Sequence, residues 1–144
     1  MTPFRLPLLL GSTALLLAAC TGQPANEVRT MVEESQLRGE SWSVTSLNGE
    51  DVTEATVTLN FHQPGQVAGK AACNNYMATY VQDEDSFTIT TGGVTMMACP
   101  QPLMALEQQF LTALEEVTAG DINEDGQLVL RGADQVQIEA TRQP

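Results

Sequence analysis

Three cysteines, one histidine, an acidic loop and a set of methionines are the residues of this 144-residue chain whose chemistry goes beyond packing. His62 stands alone. A catalytic zinc takes three protein ligands, often two or three of them His, and a nucleophile–base pair needs an orienting acid beside the imidazole. No spacing here nominates either set, so His62 reads as a surface residue at a strand end. Acids are so plentiful that no carboxylate pair stands out for acid–base work. Asp121-Ile122-Asn123-Glu124-Asp125-Gly126 has the first oxygen ligands and the glycine of a calcium loop. The closing position, which should be a bidentate Glu, is Gly132, and the residues after Gly126 alternate like a strand. A hairpin turn accounts for the same letters. Met77, Met96, Met97 and Met104, with Cys99, are soft donors of the kind that suits Cu(I). In a histidine-poor chain, packing is the simpler use of Met. Gly92-Gly93 lacks the Lys-Ser/Thr of a phosphate loop. No catalytic residue, metal or cofactor is expected.

The most informative residue is Cys20. Arg5, an apolar run from Leu6 to Leu17 and the small residues Ala18-Ala19 precede it. A positive start, an apolar stretch and small residues before a cleavage point make a secretory signal peptide, here residues 1–19. The run is shorter than the ~20 residues of a spanning helix. The Cys at the cleavage point resembles the lipobox of bacterial lipoproteins, which implies cleavage before Cys20 and lipid on its sulfur and new amino group. Two or more acyl chains anchor a protein stably. By the sorting habit of lipoproteins, Thr21, which is not Asp, implies release to the outer membrane, facing the periplasm. Cys73 and Cys99 then remain as a pair in an oxidising compartment, where a disulfide is the expected use. Closing that loop would stabilise by roughly 3–4 kcal/mol on the chain-entropy account. Two buried thiols that never meet satisfy the same count.

Charge narrows the partners. Eighteen acids against six Lys and Arg give a net charge of −12, and losing Arg5 with the signal leaves the mature chain more acidic. Such a surface repels nucleic acid and anionic headgroups, so nucleic-acid binding is excluded. The length after the signal fits one domain plus a tether.

The elements that must position these residues follow from periodicity. Residues 20–38 read as the lipidated N-terminus and a flexible tether, polar and breaker-rich at Thr21 to Asn26 and charged from Glu27 to Arg38, where a short helical turn is the second reading. The domain is expected over residues 39–144. Ser41 to Leu47 alternates, and Asn48-Gly49 supplies a turn. Thr56 to Phe61 alternates again, before Pro64-Gly65. Val67 to Tyr76 carries Gly69, Ala71 and Cys73 at period two, where small side chains imply close approach by another element. Tyr76 to Val81 extends that strand or pairs back on it. Ser86 to Thr90 follows the acidic turn at Asp83-Glu84-Asp85, and Gly92-Gly93 should break it. Leu103, Leu106, Phe110, Leu114 and Val117 form one helical stripe, with Glu107 off it and Gly120 as the stop. Leu128 to Leu130 and Val136 to Ala140 close the chain as strands. Many short strands around one helix predict a mainly β (α+β) fold: a small antiparallel sheet with one amphipathic helix.

Gly69-Lys70-Ala71-Ala72-Cys73-Asn74-Asn75-Tyr76 resembles the small-residue, Cys-Asn, aromatic stretch of META domains. Thr95-Met96-Met97-Ala98-Cys99 resembles their Thr-x-Met-x-Cys segment ahead of an amphipathic helix, and Trp42 and Leu128-Val129-Leu130 complete the pattern over about residues 39 to 141. The resemblance extends to the HslJ-like heat-inducible lipoproteins. It implies a barrel-like antiparallel sheet with a helix, links to heat response, novobiocin resistance and, in kinetoplastid relatives, virulence, and no established catalysis. Asn74, Thr95 and Met97 become motif residues with a structural role beside Cys73 and Cys99. Where Gly usually precedes Cys-Asn this chain has Ala72, although Gly alone takes φ > 0 cheaply. The expected function is a non-catalytic envelope lipoprotein that supports stress tolerance through contact with another envelope protein. The alternative is a carrier of a small apolar ligand inside the barrel, unless Trp42, Phe61, Phe87 and Phe110 fill it.

Overall fold

The computed structural model describes residues 31–144. Cys20 and the signal segment 1–19 lie outside the described residues. Among the described residues, nine strands and two helices follow in the order α1 (Glu34–Leu37), β1 (Ser41–Leu47), β2 (Glu50–Asp51), β3 (Thr58–Gln63), β4 (Gln66–Ala71), β5 (Asn74–Asp83), β6 (Ser86–Val94), α2 (Gln101–Glu115), β7 (Val117–Ile122), β8 (Leu128–Gly132) and β9 (Gln137–Arg142).

The strands make one antiparallel sheet in the order β6-β5-β4-β3-β1-β9-β8-β7, with the short β2 paired to β1. Its two end strands, β6 and β7, come alongside each other. The result is a nearly closed, barrel-like sheet. Alternation fixes which side faces in. Along β5, Asn74, Tyr76, Ala78 and Tyr80 are buried while Asn75, Met77, Thr79 and Val81 are exposed, the period-two pattern of a half-buried strand. The Asn-Gly turn forms as expected: Asn48 and Gly49 both take positive φ, +52° and +85°, as a tight hairpin between right-twisted strands requires.

Side chains fill the interior. Trp42, Phe61, Tyr76, Phe87 and Phe110 are almost wholly buried, and Tyr80 nearly so. Phe61 meets Tyr80 edge-on with ring centroids 5.4 Å apart, Tyr80 stacks with Phe87 at 5.4 Å, and Phe110 of α2 meets Tyr76 edge-on at 5.6 Å. Such pairs contribute about 0.5–1.5 kcal/mol each beyond their area burial. Burial pushes the Tyr76 hydroxyl pKa far above its ordinary value. It stays protonated and donates to the Thr58 carbonyl at 2.8 Å.

Four expectations are corrected by packing. First, the packed unit starts before Gly39: Val32 and Leu37, expected in the tether, are buried in the core. The Val32 N–H donates to the Gly120 carbonyl at 2.8 Å, and Gln82 Nε2 donates to the Val32 carbonyl. A second helix, α1, lies in this stretch. Second, Gly92-Gly93 does not end its strand; β6 runs on to Val94, and its register with β5 shifts between Tyr76 and Ala78. Glycine tolerates the bulge, and a Cβ on Gly92 would lie 3.2 Å from the Met77 carbonyl. Third, Val117 and Gly120 belong to β7. Gly120 ends no helix; it makes room, since a Cβ there would lie 3.2 Å from Val32 and 3.0 Å from Leu130. Fourth, the stretch Val67 to Tyr76 is two strands, turning at Ala72-Cys73 between β4 and β5. The inferred close approach is real at Gly69, where a Cβ would meet the Thr58 carbonyl oxygen at 2.2 Å.

Candidate functional site

The β4–β5 turn is built from a strained residue. Ala72 sits at φ +69°, and Cys73 N–H donates to the Ala71 carbonyl two residues back at 2.9 Å, closing a three-residue γ-turn of the rare positive-φ kind. The turn brings Cys73 to Cys99. Their disulfide, with Cα atoms 5.9 Å apart, ties the sheet to the segment that leads into α2.

Asn74 is the hub beside it. Its side-chain oxygen accepts from the Met97 N–H at 2.6 Å and from the Thr95 hydroxyl at 3.0 Å. Its Nδ2 donates to the Met97 carbonyl at 3.3 Å and to Glu107 Oε1 at 2.9 Å. Its backbone N–H donates to Glu107 Oε2 at 2.5 Å. Thr95 also accepts the Asn75 N–H on its hydroxyl at 3.0 Å, and its own N–H donates to the Asn75 carbonyl at 3.0 Å. One amide thus satisfies β5, the segment 95–97 and α2 together. A buried polar group costs folding energy unless it is bonded, and this one is bonded at both ends.

The structure brings Cys73, Cys99, Asn74, Thr95 and Met97 into one cluster, while Cys20 lies outside the described residues. The sequence reading missed Glu107, which it placed off the helical stripe. The side chain is buried against Asn74. Its spacing carried the signal: four residues after Leu103 and three before Phe110, both on the inward face. Ala72 was flagged, and its positive φ is the conformation that the usual Gly would take without strain.

Other candidates fall elsewhere. His62 is exposed, with Nδ1 3.3 Å from the Asn60 carbonyl. In the acidic loop, Asn123 Oδ1 accepts from the N–H groups of Asp125 and Gln127 at 3.0 and 2.9 Å, the self-capped turn of a β7–β8 hairpin. Met77, Met96, Met97 and Met104 are exposed, Met96 almost fully at 97 %. Among the described residues, no group of three or more His, Cys, Asp or Glu is placed to hold a metal ion. What the cluster around Asn74 does chemically is fasten: the polar groups of Asn74 are consumed by other parts of the same chain.

A comparison with curated proteins returned no match. Two structures solved by NMR share the fold. A protein from Burkholderia xenovorans is 22% identical, with a TM-score of 0.61 over 96% of this chain and 99% of that one. A second protein is 25% identical, with a TM-score of 0.57 over 76% of this chain and 94% of that one. The META domain profile matches residues 35–144, a span that begins inside α1, as the burial of Leu37 requires, and contains the whole Asn74 cluster. The chain therefore belongs to the META domain family.

Proposed function

We propose that this chain is a non-catalytic envelope lipoprotein of the HslJ-like kind, anchored through lipid on Cys20. It faces the periplasm from the outer membrane and supports stress tolerance through contact with another envelope protein. The observation that carries this reading is where apolar surface remains on offer. The interior is occupied by aromatic rings and the Asn74 cluster is satisfied within the chain, whereas Met77, Val81, Met96, Met97 and Met104 are exposed. Large apolar side chains left in water offer surface that a partner can cover, and Met adapts to varied partner surfaces. Among the described residues no helix is long and apolar enough to cross a membrane, which fits attachment by acyl chains. The carrier alternative has less support, because its cavity would have to lie where Phe61, Tyr80 and Phe87 pack.

Two measurements test the reading. A palmitate analogue should label the wild type and not Cys20→Ser; equal labelling removes the anchor. Native mass spectrometry of the envelope-purified chain should show a co-purified protein. A reproducible bound lipid or other small apolar molecule instead would favour the carrier.

A further inference from the structure

A cleft of about 940 Å3 runs between α2 and the segment 47–55, within the size range of sites that hold ligands. Its floor is apolar: Leu103, Leu106 and Ala55 pack partly buried on the core, with Leu47 and Val52 buried beside them. Its rim carries charge of one sign. Glu50, Asp51 and Glu54 are exposed along it, and among the described residues no Lys or Arg lines it. The Asp51 carboxylate is already oriented: the Thr53 hydroxyl and N–H both donate to its Oδ1, at 2.6 and 2.8 Å. These bonds hold its pKa below the ordinary carboxylate range, so it is ionised at neutral pH.

We propose that this cleft is the docking site for a basic amphipathic peptide segment of a partner protein. The segment's apolar side chains would rest on Leu103, Leu106 and Ala55, with its Lys or Arg against Glu50, Asp51 and Glu54. The proposal rests on the protein-contact reading above, names the partner's chemistry and gives it a further surface, since none of the exposed Met77, Val81, Met96, Met97 and Met104 lines the cleft. Charge complementarity selects a basic segment, and the floor selects one with apolar side chains as well. The fold supplies its own comparison. A second acidic concavity, lined by Glu33, Glu34, Gln82, Asp83 and Glu84, has Met31 as its one large apolar residue among the described residues. A ligand drawn by charge alone would use both.

The test uses the full chain in zwitterionic nanodiscs and a fluorescent heptapeptide of alternating Leu and Lys that carries a photo-crosslinker. Crosslinks should fall within residues 47–55 and 102–109. The triple change Glu50→Gln, Asp51→Asn and Glu54→Gln should weaken binding about tenfold or more. The matched change Glu33→Gln, Asp83→Asn and Glu84→Gln should alter it by less than about threefold on the same scale. Crosslinks on the second concavity, equal loss in both variants, or equal binding of a Ser/Lys heptapeptide would each overturn the proposal. If the triple variant still co-purifies its envelope partner in full, the cleft is not the contact and the protein-contact reading stands. If the wild type retains no partner yet crosslinks as expected, the docking chemistry stands and that reading fails.

Discussion

Ala72 shows how one residue can be legible before its geometry is known. An L-residue in the left-handed region costs about 1–2 kcal/mol, and glycine's extra freedom in the unfolded chain returns about 0.5–1 kcal/mol of that advantage. Ala72→Gly should therefore stabilise by about 0.5–1 kcal/mol, seen as a higher urea midpoint with an unchanged slope. A lower midpoint would mean that the methyl group, buried in the core, contributes more by packing than it costs by strain. Asn74 makes the opposite prediction. Asn74→Asp removes the Nδ2 donor to Glu107 and sets a second carboxylate against it. Like charges at that distance raise at least one folded pKa. A carboxyl whose folded pKa is raised contributes stability below its unfolded value, about 4, and loses it as the pH rises through the folded value. The variant should thus be destabilised by about 2–5 kcal/mol at pH 7 and by less at pH 4. Urea midpoints at the two pH values decide it; a deficit that does not change with pH would show that Glu107 plays no electrostatic part.

At the scale of elements, α2 is held by two different kinds of contact. Its apolar stripe buries Phe110, Ala113 and Leu114, and Glu107 on the same face bonds Asn74. Phe110→Ala removes the ring that meets Tyr76 and should cost about 3–5 kcal/mol, measured by thermal or urea unfolding. A near-unchanged midpoint would place the driving force for docking α2 in the disulfide and Asn74 instead of the stripe. The strands show why periodicity reads some elements and misreads others. Alternation located β1, β3 and β9 because each buries one face. It ended β6 too early and missed β7, whose Val117 it gave to the helical stripe and whose Gly120 to the stop, because Gly92 and Gly120 serve a bulge and a close contact rather than a break.

The whole molecule is a sheet whose two ends meet beside a helix, and the Cys73–Cys99 link fastens that helix's approach to the sheet. Without it the barrel core remains, so reduction should lower stability by up to roughly 3–4 kcal/mol and leave the far-ultraviolet strand signal in place. Intact-mass analysis of the envelope-purified protein, denatured and alkylated without reductant, should show no adduct on Cys73 or Cys99. Two adducts would leave the cluster standing on Asn74 and packing alone.

Read alone, the sequence determined the elements whose cause is local. Asn48-Gly49 and Asp83-Glu84-Asp85 turn, inward residues alternate, and a helical stripe follows Pro102. Its motifs also marked Cys73, Asn74, Thr95, Met97 and Cys99 as belonging together. Only the tertiary structure decided what is set by residues distant along the chain. Val32 and Leu37 join the core because the sheet offers them a place, and no local pattern announces that place. Glu107 turns inward because Asn74, 33 residues away, presents it with two donors. Gly69, Gly92 and Gly120 stay in strands because another strand, or a buried side chain, lies where a Cβ would go.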